Sequence, residues 1–377
     1  MKIIEEAYKR AIVVLEHCAR PTGFYASGLP GGYEAVWARD SMITSLGASL
    51  AGNKFKSPFR KSLELLSRHQ SRHGQVPNAV GSYNIERRSD VTFNSIDSTL
   101  WYIISHHVYK AAYSDNSLWK KYRRNIGAAL KWLQYQDPNE DGLPVQQPTM
   151  DWQDAFPHKY GRTINTQALY YVILNILGKK KEAGRLKKVV NAETEKYLSL
   201  YDKKRGYYLP WVWKTHGQKR EEEYWFDTLG NLLAIVTGLA TPQIAKSILR
   251  HIEKNKINRP YPCKAIYPPI KKSDKEWRWY FAESESKDPY HYLNAGIWPF
   301  IGGFYVAALV KTGQLKKAEK ELKLLAAANR LGGGFQEWLH GKTGKPKGGS
   351  SPYQGWSAGA YVFACESVKR KKGAFFL

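Results

Sequence analysis

The sequence predicts an all-α protein, an (α/α)6 toroid of six helical hairpins with a few short strands in its loops. Three observations carry that reading. Apolar residues recur at helical spacing in twelve windows along the 377 residues. The windows alternate between two kinds, one with a charged back and one apolar nearly all round. Short links such as "ATPQ" and "TGQ" join them, and short links make neighbouring helices antiparallel hairpins.

The windows cover 2–19, 39–52, 57–71, 96–113, 117–135, 165–178, 182–200, 226–238, 242–255, 294–312, 315–329 and 355–370. The first is amphipathic, with Glu5, Glu6, Lys9 and Arg10 among its apolar residues, unlike the unbroken apolar core of a signal peptide. The windows at 57–71, 117–135, 182–200, 242–255 and 315–329 carry an apolar stripe and much of the basic charge, as helices with one wet face do. Between them lie windows apolar on all sides, which belong in an interior. Six wet and six buried helices in alternation close naturally into two concentric rings. An open solenoid of helix pairs usually shows a repeating consensus; these hairpins share a pattern and no sequence. The segments 204–215 and 261–281 suit short strands or irregular loops. No linker or low-complexity block divides the chain, so residues 1–377 read as one domain.

Composition narrows the function. Hydrophobic content of 43% and charged content of 24% are ordinary for a globular chain, and no apolar run is long enough to span a membrane. Cys18, Cys263 and Cys365 lack the spacing of a disulfide framework or a metal knuckle, which points to a reducing cytoplasm. The net charge of +25 and the 14% aromatic content fit either a nucleic-acid binder or a sugar binder. Their placement separates the two. The basic residues sit on the wet helices, away from most of the aromatic motifs, whereas nucleic-acid grooves interleave them. The sequence therefore argues against nucleic acid, and leaves the oligomeric state open.

In a ring of antiparallel hairpins, all inner helices start at the same end. Their starts read "YEAVWARD" (Trp37, Arg39, Asp40), "NSIDSTLW" (Asp97, Trp101), "MDWQDAFPHKYGRTINTQ" (Asp151, Trp152, Gln153, Asp154, Gln167), "YWFDTLGN" (Asp227), "YHYLNAGIWP" (His291, Asn294, Trp298) and "PYQGWS" (Gln354, Trp356). A loop at the same end adds "GGFQEWLHGKTG", with Gln336, Glu337 and Trp338. Each start pairs aromatic with polar side chains. One such site is explained by an N-cap or an ion pair; six at one level are not, because capping needs no tryptophan. Buried polar groups are costly without partners, so this cluster expects a polar ligand or a dense internal network. A neutral sugar fits best, since the carboxylates would repel a phosphate. His69 and His73 are spaced for one helix face, but lack the acidic partner of a zinc-binding HExxH. "HGKTG" lacks the first glycine of a phosphate loop.

At these motifs the chain resembles the six-hairpin glycosidases. The likeness is closest to glycoside hydrolase family 100, the alkaline/neutral invertases, and looser to glucoamylases and the α-1,6-glucosidase part of glycogen-debranching enzymes. It is strongest in "SIDSTLWYII", "FDTLGNLLAIVTGLATPQ", "YHYLNAGIWP" and "PYQGWSAGAY". The resemblance implies an inverting hydrolase with Asp97 as general acid and Glu337 as general base, acting on a disaccharide or oligosaccharide and needing no metal or organic cofactor. It implies a sucrose-type invertase first. An α-1,6-glucosidase or a glycosylglycerate hydrolase is the alternative within the class, and a basic helical-repeat nucleic-acid binder the alternative outside it. For Asp97 two effects compete. A helix start lowers a carboxyl pKa, and burial beside Trp101 raises it.

Overall fold

The helices read as apolar nearly all round are buried over most of their residues. The computed structural model describes residues 2–31, 33–81, 90–214 and 220–372; Thr215, at the end of one expected strand segment, lies outside them. Among the described residues the chain forms α1 (Lys2–Cys18), α2 (Ala38–Ala48), α3 (Lys56–Arg68), α4 (Ile96–Tyr113), α5 (Ser117–Lys121), α6 (Arg123–Gln134) and α7 (Ile164–Ile176). It continues with α8 (Lys180–Val190), α9 (Thr228–Thr237), α10 (Pro242–Lys254), α11 (Pro299–Lys311), α12 (Leu315–Ala328) and α13 (Gly355–Arg370). Every residue of α2 and of α9 is buried. Helices α2, α4, α7, α9, α11 and α13 pack each against the next, and α13 returns against α2, closing an inner ring. The other helices cover it. In α12, for example, Ala318, Leu322 and Leu325 face inward while Lys317 and Lys320 are exposed. No helix among the described residues is long and apolar enough to cross a membrane.

Small residues bring the inner helices into backbone contact. A Cβ on Gly47 of α2 would lie 1.8 Å from the carbonyl oxygen of Gly359 in α13, and one on Gly303 of α11 2.4 Å from that of Ala360. Larger side chains at these crossings would force the ring apart.

Three windows depart most from the sequence reading. The window 117–135 is two helices, α5 and α6, parted at Tyr122 (φ −103°, ψ 21°), whose ring packs toward the buried His106. The window 182–200 stops at Val190, where the Asn191 amide turns to donate to the Leu239 carbonyl and Ala192 takes φ 62°. Helix α11 starts at Pro299 rather than 294. Proline suits the first turn, where its missing N–H costs nothing, and it holds Trp298 extended at φ −112°, ψ 108°.

The strands are short and lie mainly where inner helices begin. Val36–Trp37 pairs with Ala79–Val80 ahead of α2, Arg162–Thr163 with Trp211–Val212 ahead of α7, and Phe226–Asp227 with Ile266–Tyr267 ahead of α9. Single bridges do the same elsewhere: Ile297 to Leu339 before α11, and Gln354 to Ser27 before α13. At α4, the Ile96 N–H donates to Met150 O at 2.7 Å. Each inner start is thus fixed to a loop, so the side chains on these starts have defined positions.

Candidate active site

A pocket open to solvent lies at this end of the ring, lined by Ala26, Tyr33, Trp37, Arg39, Asp40, Trp152, Asp154, Tyr292, Trp298, Glu337 and Trp356. Trp37, Arg39 and Asp40 come from the start of α2, Trp152 and Asp154 from the loop before α7, and Glu337 and Trp356 from the last loop and α13. The indole walls are held by each other. Trp152 and Trp298 meet edge to face at 5.5 Å, and Trp356 stacks on Phe300 at 4.3 Å.

Arg39 is the electrostatic centre, buried among three carboxylates. Its Nη1 donates to both oxygens of Asp97 at 3.2 Å, its Nη2 lies 3.6 Å from Asp154, and its Nε lies 3.8 Å from Asp40. Asp97, expected to be the acid, is fully buried and does not line the pocket. Its place in the first turn of α4 points it at Arg39, and both its oxygens are engaged there. Of the two effects that compete at Asp97, burial wins: its pKa is raised by desolvation, against the lowering pull of Arg39. Desolvation also raises the three carboxyls that do line the pocket. Asp40 goes up to about 7 against the pull of Arg39, and Asp154 to about 6 against the same pull. Glu337 goes up to about 8, with the Asp40 charge adding to the rise. Two donors oppose it, the Tyr33 hydroxyl at 3.3 Å and the Ser351 backbone amide.

Beside the pocket lies a second charged group, fully buried. Lys159 Nζ donates to Gln153 Oε1 at 2.6 Å and lies 2.8 Å from Asp151 and 3.1 Å from Asp227. Asp227 also caps α9, accepting from the Gly230 N–H at 3.1 Å. Asp151, Gln153 and Asp227, expected to bind substrate, are therefore engaged within the protein and line no part of the pocket. The same holds for Asn294, whose amide pairs with both backbone groups of Ile270 at 2.8 Å and with Ser286 O. Gln167 donates to Pro144 O, and Gln336 is engaged by Gly332 O and Ser350. Trp101 packs toward Phe304 in the core, His291 lies against Trp338 and His340, and Gln354 and Trp338 are buried off the lining.

Ala26, Tyr33 and Tyr292 line the pocket without having been singled out. Tyr33 sits four residues before Trp37 in the same loop, and meets its ring edge to face at 5.8 Å. Tyr292 follows His291, and its backbone carbonyl takes the Trp298 indole N–H at 3.0 Å. Both tyrosines lie inside the quoted motifs "YEAVWARD" and "YHYLNAGIWP", which was the available signal. Among the described residues no group of three or more His, Cys, Asp and Glu is placed to hold a metal.

Residues 189–370 match the family model for alkaline and neutral invertase, glycoside hydrolase family 100. The resemblance read from the motifs therefore holds over the second half of the chain, which includes Glu337 and excludes Asp97 and Asp154. The chain is 33% identical over 143 residues to cytosolic invertase 1 of Oryza sativa subsp. japonica, covering 37% of this chain and 25% of that protein. It is 34% identical over 143 residues to probable alkaline/neutral invertase D of Arabidopsis thaliana, covering 37% and 26%. These alignments span about a quarter of the relatives' length. In fold, the chain is similar to a GH63 mannosylglycerate hydrolase from Thermus thermophilus bound to Tris and D-glycerate. The TM-score is 0.68 at 14% identity, covering 94% of this chain and 99% of that one. A wild-type glycosidase structure gives a TM-score of 0.69 at 14% identity, covering 98% and 97%. The (α/α)6 fold expected from the hairpin pattern is thus shared over nearly the full length.

Proposed function

We propose that this chain is a glycoside hydrolase that removes a terminal sugar from a small saccharide with inversion at the anomeric carbon. The observation that carries the proposal is the pocket itself: Asp40 and Asp154 beside one arginine, with Glu337 across the same lining, walled by Trp37, Trp152, Trp298 and Trp356. Indole faces suit the C–H faces of a pyranose, and the carboxylates and guanidinium suit its hydroxyls. Trp152 Nε1 and Trp356 Nε1 are buried in the walls and meet no acceptor among the described residues. An anionic polymer has no place in a site this acidic.

Of the three carboxyls that line the pocket, we assign Asp154 and Glu337 as the catalytic pair, in place of Asp97 and Glu337, because Asp97 does not line it. Glu337 keeps the base role implied by the resemblance. Its two hydrogen-bond donors stabilise the ionised form it must adopt. Asp154 supplies the acid. It gives its proton to the leaving-group oxygen as the glycosidic C–O bond breaks, and Glu337 takes a proton from the water whose oxygen attacks the anomeric carbon from the other face. Asp97 acts through Arg39, holding the guanidinium that faces Asp154. With Glu337 at about 8 and Asp154 at about 6, the reactive form, protonated on Asp154 and ionised on Glu337, is a minority of the free enzyme. The pH profile is then a bell whose limbs belong to the coupled set.

Sucrose is the first substrate to test, because the sequence relatives are invertases. A panel of sucrose, isomaltose, maltose, mannosylglycerate and glucosylglycerate tests the proposal, with wild type beside Glu337→Gln and Asp154→Asn. The expected result is sugar release from at least one member, the new anomer inverted by ¹H NMR, and loss of release in both variants. No release from any member, together with tight salt-sensitive RNA binding, would overturn it.

A further inference from the structure

We propose that Lys159 is a positioning residue: one buried ammonium that closes the 151–159 loop on itself and on α9, and so fixes Trp152 and Asp154 in the pocket. This rests on the reading of Asp154 as the acid. The loop that carries both pocket residues begins at Asp151 and ends at Lys159. Lys159 bonds its two nearest anchors, Asp151 and Gln153, at 2.8 and 2.6 Å. Its third contact, Asp227 at 3.1 Å, belongs to a different hairpin and is itself tied into the first turn of α9. The three N–H groups of the ammonium thus have three oxygen partners, and the side chains of Lys159, Asp151 and Asp227 are at most 1% exposed. Asp151 is held from two further sides, by Gln146 Nε2 at 3.2 Å and the Gln153 N–H at 3.0 Å. A loop without regular structure is thereby given a fixed end point three residues from Asp154.

The clamp also has an electrostatic role. Two carboxylates share one ammonium, which leaves one net negative charge buried beside the pocket. Asp154 feels that charge through Asp151, in addition to Arg39 and Asp40 from α2 and Asp97 from α4. The hydroxyls of Tyr33 and Tyr292 also face it. Lys159 itself stays protonated. Burial alone would lower its pKa, and Asp151 and Asp227 together reverse that.

Three variants separate the two effects. Lys159→Met leaves two unbalanced carboxylates; Asp227→Asn leaves none in excess and keeps a good cap for α9; the double variant restores the wild-type net charge but lacks the clamp. The readouts are the titration of Asp154 by ¹³C NMR of labelled aspartate, and kcat and KM across pH. In Lys159→Met the Asp154 titration and the acidic limb should rise by about half a pH unit or more. In Asp227→Asn both should fall, and in the double variant both should return toward wild type while kcat stays about tenfold or more below it, as misplacement of a reacting group predicts. A purely structural lysine would change stability without opposite-signed shifts. Unshifted titration in Asp227→Asn, or full kcat in a folded double variant, would overturn the proposal. If the wild type hydrolyses no glycoside, the functional reading fails, and the NMR titration still tests the clamp.

Discussion

Two charged clusters sit a few residues apart at the inner-helix starts and behave differently. In the Lys159 cluster each ammonium hydrogen has a carboxylate or amide oxygen, and nothing opens on the pocket. In the Arg39 cluster three carboxylates compete for one guanidinium at 3.2–3.8 Å, and two of them, Asp40 and Asp154, line the pocket with Glu337 nearby. The first cluster uses every ammonium hydrogen and acts as a clamp on the loop that carries Asp154. The second opens on the pocket, where desolvation raises both Asp40 and Asp154 although 37% of the Asp154 side chain stays exposed, and carboxyls so shifted can exchange protons at ordinary pH.

The largest effects should separate the clusters by turnover. Glu337→Gln removes the base and should lower kcat by about 10²–10⁴-fold. It should also make the protein more heat-stable at pH 8, by on the order of 1–4 °C in Tm, because it removes a buried carboxyl that must ionise. Calorimetry and initial rates on the same preparation check both.

Asp154→Asn and Asp97→Asn should part company next. Asp154→Asn should lose turnover and keep its fold. Asp97→Asn breaks a buried ion pair and should cost about 3–5 kcal/mol of stability, with turnover falling because Arg39 is no longer held. Urea unfolding beside kcat measurements distinguishes them. Equal loss of turnover with unchanged stability would return the acid role to Asp97.

The pH dependence is a smaller test with a definite sign. Activity should rise through about 6 and fall through about 8, the values of Asp154 and Glu337. Stability should run the other way over part of that range. Asp40, Asp154 and Glu337 are all raised when folded, so they favour the folded state below their unfolded values of about 4. That contribution is lost as pH climbs through about 6, 7 and 8. Asn294→Ala, which unpairs both backbone groups of Ile270, should cost about 1–3 kcal/mol and leave KM nearly unchanged. A large rise in KM there would mean that Asn294 meets substrate after all.

The ring was readable because its signal is repeated: inner helices such as α9 are apolar nearly all round, and no single misjudged boundary changes their alternation with wet ones. Boundaries were less readable. Tyr122 splits one window and Pro299 delays another through local backbone geometry that periodicity does not carry. The level of the site was readable from aromatic and polar residues at every inner start. Which of them face the pocket was not, because that depends on partners distant in the chain. Asp227 and Asp154 look alike in sequence. One meets Lys159, 68 residues earlier, and the other opens on the pocket. Lys159 itself is one basic residue among 58 and carries no local signature.

The most direct test is a crystal structure of Glu337→Gln soaked with its best disaccharide. The account predicts one sugar ring seated among the tryptophans, its glycosidic oxygen within hydrogen-bond distance of Asp154 and its other face toward residue 337. A ring bound elsewhere, or one whose glycosidic oxygen lies out of reach of Asp154, would contradict it.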